Sequence, residues 1–523
     1  MWYCRESPIY MRVAGQLGKL MSRISRILIL GADYAGLLAA LNLKFKVPEL
    51  RVEVLRAPIA DDFRPPGFAT RIEFPTYLHE ELRVPPLEFL RGAQPIWRIG
   101  TRYQWGSRAF FDHTTEFQVD TRYAALSHET GYYIGDGPNE FEAIGAASAN
   151  ISAGKIFVRD KEGRPQIARN RYGYHLEHQR LNEFLEAATG RMEILFRDGR
   201  VVEVVRGEMG VASVRLEDGQ TLTADLYIDA SGPESLLLGQ ALGVPYCDFA
   251  ASLPCDRAIV GMCPRSNEPI KPNTAVKASE CGWCWSTEHE SFISCGHVFS
   301  SAHASADQAE KKLREEYPKV NSTRLLRIKQ GRYERCWEKN VLGIGSAAGL
   351  VEPLAAAGAG LLAFGCQWLA QSLVDCDGVI RPTIIRQFNR RWSKLIEGER
   401  DFLGLFYKYN TRSDAPFWRD ARSSAHVGSL EGLIRFYQDV GPHPVHRNLL
   451  LAEDDPIGLD GYYSVLLGQN VPHKAWAPPP AEMQSWKNIQ ESWRRRVELG
   501  FSVQEAMNYF ASAAAVAKAG AMA

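Results

Sequence analysis

The stretch Gly31-Ala32-Asp33-Tyr34-Ala35-Gly36 has the residue types and spacing to hold a phosphate. It follows the apolar run Ile27-Leu28-Ile29-Leu30 and precedes Leu37-Leu38-Ala39-Ala40-Leu41, so it reads as a turn between a buried strand and a helix. The first glycine permits the tight turn and the last lets helix and strand pack closely. The free N–H groups at the helix start would then face a pyrophosphate. Two substitutions weaken this fingerprint. Asp33 takes the middle glycine position, and Arg56 follows the second strand, residues 52–55, where an acidic residue would bind a ribose.

The elements that must position this turn recur further on. Residues 201–205, 212–216 and 222–226 read as a β-meander leading into Asp225-Leu226-Tyr227-Ile228-Asp229-Ala230-Ser231-Gly232, a second buried strand ending in small residues. Residues 341–345 form a third strand, which opens onto Ser346-Ala347-Ala348-Gly349, Glu352-Pro353-Leu354 and Gly358-Ala359-Gly360, and a helix follows from Leu361. Three strand-to-glycine turns in this order describe a flavoprotein that binds FAD. The first would hold the pyrophosphate and the second close the strand core. The third would aim N–H groups at ribitol, phosphate or the flavin edge. The expected cofactor contacts are Gly31, Ala32, Asp33, Ala35, Gly36, Arg56, Ala69, Arg180, Val202, Asp229, Gly345, Pro353, Gly358, Ala359 and Gly360. Arg180 enters because a basic side chain, here on an expected helix with Tyr174 and His175, reaches the FAD phosphates in related monooxygenases.

Composition bounds the partners. The 61 basic and 61 acidic residues of this 523-residue chain cancel, which argues against nucleic acid. Ten unevenly spaced cysteines do not make a secreted disulfide framework, so a cytoplasmic setting is expected. Residues 341–375 carry one acid, Glu352, but Pro353 and six glycines interrupt them, so a buried loop and helix is expected rather than a membrane span. Cys281-Gly282-Trp283-Cys284 has redox or zinc spacing, yet it sits in a strand-like run with no second pair. It is read as coincidence, and no metal site is expected.

Over roughly residues 24–480 the chain resembles the flavin-dependent tryptophan halogenases, relatives of the aromatic hydroxylases. The resemblance lies in residues 225–237 with Gln240-Ala241-Leu242-Gly243-Val244-Pro245, in Gly282-Trp283-Cys284-Trp285, and in the Gly345 to Leu354 turn. It extends to Arg400-Asp401-Phe402-Leu403 with Tyr407, Asn410, Arg412, Asp414 and Pro416-Phe417-Trp418-Arg419. It implies an α/β fold: an FAD-binding Rossmann-type domain of the glutathione-reductase-like, aromatic-hydroxylase-like kind, an antiparallel β-sheet substrate domain, and a helical C-terminal region. The expected FAD-binding segments are 23–115, 165–250 and 330–382; the substrate sheet takes 116–164 and 251–329. Helices take 383–523, and residues 1–22 are a flexible extension.

Departures from the family pattern fall on the chemistry. Arg98, in Trp97-Arg98-Ile99-Gly100, stands where the resemblance implies a lysine. Ala355 stands where it implies a glutamate after Glu-Pro-Leu, and Thr287-Glu288 replaces Ile-Pro. A guanidinium donates hydrogen bonds but is a poor stand-in for a titratable amine, and alanine supplies no base. The expectation is therefore an FAD-dependent monooxygenase of the family's non-halogenating branch, which hydroxylates an electron-rich aromatic ring through a flavin C4a-hydroperoxide. The substrate expected is a tryptophan within a protein during quinone-cofactor biogenesis. The resemblance extends to the peptidyl tryptophan hydroxylase of cysteine tryptophylquinone formation, with a radical maturation enzyme as partner. The alternatives are a tryptophan or indole halogenase with atypical catalytic residues, and a non-catalytic FAD-binding assembly factor. O2 would be co-substrate, and NAD(P)H would supply electrons directly or through a separate flavin reductase. Arg98, Trp283, Trp285 and Glu352 are the catalytic candidates, with Glu288, His289 and His297 as further acids or bases. The small residues from Ala355 to Gly360 predict an open wall and a wide pocket.

Overall fold

The computed structural model describes residues 23–56, 65–114, 144–167, 171–442, 455–474 and 478–520; the extension expected over residues 1–22 lies outside them. The elements that build the site are, in chain order, β1 (Arg26–Leu30), α1 (Tyr34–Lys46), β2 (Arg51–Arg56), the short α2 (Glu73–Thr76) and β3 (Ile96–Arg98). They continue with β4 (Gly173–Glu177), α3 (His178–Thr189), β5 (Leu226–Asp229), β6 (Gly282–Glu288), β7 (Val341–Gly343), α4 (Gly358–Asp375) and α5 (Pro382–Lys408).

A six-stranded sheet carries the first layer, in the order Leu195–Asp198, β2, β1, β5, β7, Trp337–Glu338. The first five strands pair in parallel; only Trp337–Glu338 runs antiparallel to its neighbour. Ile27, Leu28, Ile29 and Leu30 are all buried, because helices and a second core cover the two faces. α1 and α4 pack against each other, and the turns after β1, β5 and β7 gather at one edge of this sheet. The meander forms as expected from Val201–Gly207, Gly210–Leu216 and Thr221–Leu222.

A seven-stranded sheet forms the second layer. Its order is Thr323–Arg327, Arg257–Pro264, Phe292–Phe299, β6, Thr274–Ser279, Gly100–Gln104, Phe111–Thr114. It is antiparallel except where Thr274–Ser279 meets Gly100–Gln104, which pair in parallel. The purely antiparallel expectation is corrected at that junction: Gly100–Gln104 enters from a distant part of the chain instead of through a hairpin.

Smaller corrections concern boundaries. Tyr174 and His175 lie in β4, between Gly67–Ala69 and β3, not on a helix; α3 begins at His178. The C-terminal region is helical but includes a strand, Phe501–Ser502, paired with Lys155–Arg159 just before its last helix, Val503–Gly520. No helix among the described residues is long and apolar enough to cross a membrane.

Candidate active site

The three turns meet around one cavity. At its base Gly31 has φ +117°, and a Cβ there would stand 2.3 Å from the Ala230 carbonyl oxygen. A Cβ on Gly36 would stand 1.9 Å from the Gly31 carbonyl oxygen, so glycine is required where α1 leaves the sheet. Asp33 caps α1, its Oδ1 accepting the Tyr34 N–H at 2.7 Å. The residue that breaks the glycine fingerprint thus brings a carboxylate to a helix end that favours anions.

Asp33, Ala35 and Ala69 line this cavity with Gly345, Pro353, Gly358 and Ala359. Trp283 and Trp285, alternate residues of β6, face it from the second sheet. The fit to a dinucleotide rests on open space: no atom lies within 4 Å of where a Gly358 Cβ would stand. Gly232 and Gly345 hold left-handed turns at φ +81° and +56°. Tyr34, Phe68 and His178 add a ring cluster to the lining, with Phe68 and His178 centroids 4.5 Å apart. These residues suit FAD; when bound and reduced, the flavin supplies the activation of O2.

Other expected contacts are engaged elsewhere. Arg56 pairs with Glu186 and Asp198 and lies 4.1 Å over the Phe196 ring. Arg180 donates to Glu177 at 2.9 Å, and Val202 is 54% exposed on the meander. Gly31, Ala32 and Gly36 form the turn without lining the cavity. Asp229 is fully buried and accepts the N–H groups of Leu237 and Leu238 at 2.8 and 2.9 Å, which ties the second turn to β5. Burial raises its carboxyl above the usual range against those bonds.

Glu352 is buried beside the cavity, beneath Trp283. The Tyr407 hydroxyl donates to its Oε2 at 2.9 Å and Gln330 Nε2 approaches at 3.4 Å, while the Glu352 N–H donates to Gln330 Oε1 at 2.9 Å. Trp283 Nε1 donates to the Tyr407 hydroxyl at 3.2 Å. Oε1 of Glu352 has no partner. Burial pushes this carboxyl up to about 7, against the hydrogen bonds of Tyr407, Trp283 and Gln330.

Arg98 belongs to a second buried group, adjoining the loop before α4. Its Nη1 donates to the Thr70 carbonyl oxygen at 2.6 Å and its Nη2 to Thr101 Oγ1 at 2.7 Å, while Nε has no partner. Burial lowers its pKa to about 10, with Arg71 acting in the same direction and Tyr103 and Glu73 opposing. Arg71 is clamped by both oxygens of Glu399 from α5 and lies 3.5 Å from Glu73 Oε1. Those two carboxylates outweigh burial and hold the Arg71 guanidinium firmly charged. Neither Arg71, Glu73 nor Glu399 stands out in the sequence, because the ion pair joins residues 328 positions apart.

The wall of small residues is not open as expected. Ala355 and Ala357 are buried, the Tyr103 hydroxyl donates to the Leu354 carbonyl oxygen at 2.7 Å, and Glu73 packs against Gly360. Side chains from Gly100–Gln104 and α2 cover that face, and only Ala356, Gly358 and Ala359 reach the cavity. The further acid and base candidates are committed to structure. Glu288 pairs with Arg265, His289 stacks on Phe292 at 4.5 Å, and His297 bridges Ser279 and the Ala309 carbonyl oxygen. No group of acids, histidines and cysteines suited to a metal occurs among the described residues.

Comparison with known proteins settles the family. The tryptophan halogenase model matches residues 26–485. The chain belongs to the tryptophan halogenase family. A tryptophan 6-halogenase from Streptomyces albogriseolus, ThaL, is 25% identical over 446 residues, covering 80% of this chain and 82% of that protein. The tryptophan 7-halogenase KtzQ from Kutzneria sp. (strain 744) is 26% identical over 444 residues, with 80% and 82% covered. Among solved structures, MibH, a lanthipeptide tryptophan 5-halogenase, superposes with a TM-score of 0.83 at 28% identity over 95% of both chains. This is a flavin-dependent halogenase-family enzyme with the family's α/β fold.

Proposed function

We infer that this halogenase-family enzyme carries out flavin-dependent electrophilic substitution on the indole ring of tryptophan, introducing a halogen that is supplied as halide and oxidised to hypohalous acid. The observation that carries the reading is the pairing of two neighbouring sites. One is the cavity lined by the three turns and by Trp283 and Trp285; the other is a buried group in which Arg98 keeps an unpartnered Nε donor. A guanidinium cannot take over the reactions of a free amine, but it can hold hypohalous acid by hydrogen bonds. Similarity to MibH supports a tryptophan presented within a peptide. Reduced flavin would come from a separate flavin reductase or from direct reduction by NAD(P)H, and O2 is the oxidant.

A second reading is hydroxylation of a protein-bound tryptophan, as in quinone-cofactor biogenesis alongside a radical maturation enzyme. It is favoured by one observation: alanine at position 355 and arginine at position 98 remove both groups that the family resemblance ties to halogenation. Reduced FAD, O2 and bromide are incubated with free tryptophan and with a tryptophan-containing peptide, and products are read by mass spectrometry. Bromine on the indole supports the first reading. Oxygen alone, unchanged by bromide, replaces it with the second, and an unmodified substrate in every arm defeats both.

A further inference from the structure

Indole substitution by an electrophile needs a proton acceptor once the new bond to the ring carbon has formed. The position after Glu-Pro-Leu cannot provide one, because Ala355 has no titratable group. The structure brings a carboxylate to the start of the helix that follows, beside Gly360, by another route. Glu73 opens the short α2 two residues after the buried Arg71, and its side chain is only 13% exposed. Its Cβ, Cδ and Oε2 lie 3.5 to 3.7 Å from where a Gly360 Cβ would stand, so it covers the first turn of α4, a few residues beyond Ala355. Oε1 faces Arg71 at 3.5 Å, while Oε2 is buried with no hydrogen-bond partner. Nε of Arg98, close enough for its charge to feel Glu73, is likewise buried and unpartnered.

A buried acceptor and a buried donor left unsatisfied in one group are costly, and such groups persist where a ligand completes them. Glu399 is a poor rival as base, because Arg71 occupies both of its oxygens. Glu352 also keeps an unpartnered oxygen, but its neighbours are Tyr407, Trp283 and Gln330, and it does not share a group with Arg98 as Glu73 does.

We propose that Glu73 is the proton acceptor of the substitution, its unpartnered Oε2 taking the ring proton while Arg98 holds the electrophile's oxygen. The proposal deepens the indole-substitution reading and rests on it. In the halogenation form, the O–X bond of hypohalous acid breaks with its electron pair going to oxygen, and X bonds to the ring carbon. The C–H bond at that carbon then breaks, its electron pair restores the aromatic ring, and the proton passes to Glu73. The hydroxide, hydrogen-bonded by Arg98, takes that proton and leaves as water, so the carboxylate is regenerated and the charge balances.

The test uses the full chain, reduced FAD, O2, bromide and a tryptophan peptide whose indole ring is either protiated or fully deuterated. Glu73→Gln is expected to lose product formation by about 10²- to 10⁴-fold, the usual worth of a positioned base. A primary deuterium isotope effect, absent in the wild type, should appear because ring deprotonation becomes rate-limiting. Glu73→Ala should regain turnover on addition of formate, which a merely structural role would not allow. Unchanged melting temperature and flavin affinity confirm that the variants are folded. Wild-type turnover in Glu73→Gln, or a loss with neither isotope effect nor formate rescue, overturns the assignment while leaving the indole reading intact. An unmodified peptide with the wild type overturns both.

Discussion

Replacing Glu352 by glutamine should flatten the pH dependence of folding stability between about pH 4.5 and 7. Burial raises this carboxyl from 4.5 to about 7, so the folded protein holds a proton that the unfolded chain has released over that interval. A raised folded-state value means the group's contribution is fully present below the unfolded value and is lost as pH rises through the folded one. The interval corresponds to about 3 kcal/mol at 1.36 kcal/mol per unit, to order of magnitude. Glutamine keeps an oxygen to accept from Tyr407 and removes the ionisation. Urea denaturation of both proteins at pH 5 and pH 8 measures the effect. The variant should gain on the wild type by roughly 3 kcal/mol between the two pH values. An identical pH slope in both would refute the argument that Glu352 titrates as a buried, underpaired acid.

Other consequences follow from the same structure. Asp33→Asn keeps the cap on α1 but removes a charge from the pyrophosphate end, so flavin binding should tighten by roughly fivefold at low salt, on the order of 1 kcal/mol, as measured by fluorescence titration. Equal affinity would show that the carboxylate does not meet the phosphates. Gly36→Ala puts a methyl 1.9 Å from the Gly31 carbonyl oxygen and should abolish flavin binding, which the bound-flavin absorbance of the purified variant reads directly. Glu399→Ala leaves Arg71 buried without its main partner and should cost about 3–5 kcal/mol in denaturant unfolding. A loss under 1 kcal/mol would mean Glu73 alone holds the charge.

What the sequence made legible was local. The turn at Gly31, the buried strand ending at Asp229 and the run from Gly345 to Gly360 each carry their geometry in a few consecutive residues, and all three arrive at one cavity edge. Trp283 and Trp285 share a face because a strand repeats every second residue. The buried charge group escaped because nothing nearby in sequence relates Arg71 to Glu399 or Glu73 to Gly360; only the packing of α2 against α4 and α5 makes them neighbours. Arg56 and Arg180 attract a phosphate reading on their charge alone, yet each has an acidic partner within reach that the sequence does not announce. The wide pocket inferred from the alanines at positions 355–357 failed for the same reason: small residues leave room that Tyr103 and Glu73 fill from elsewhere in the chain.

The measurement that bears most directly on the account is the mass of a tryptophan peptide after incubation with the enzyme, reduced FAD and O2, with and without bromide. The account predicts bromine on the indole ring, dependent on enzyme and bromide and lost with Glu73→Gln. A peptide that gains only oxygen, at a rate indifferent to bromide, or that returns unchanged, would contradict it.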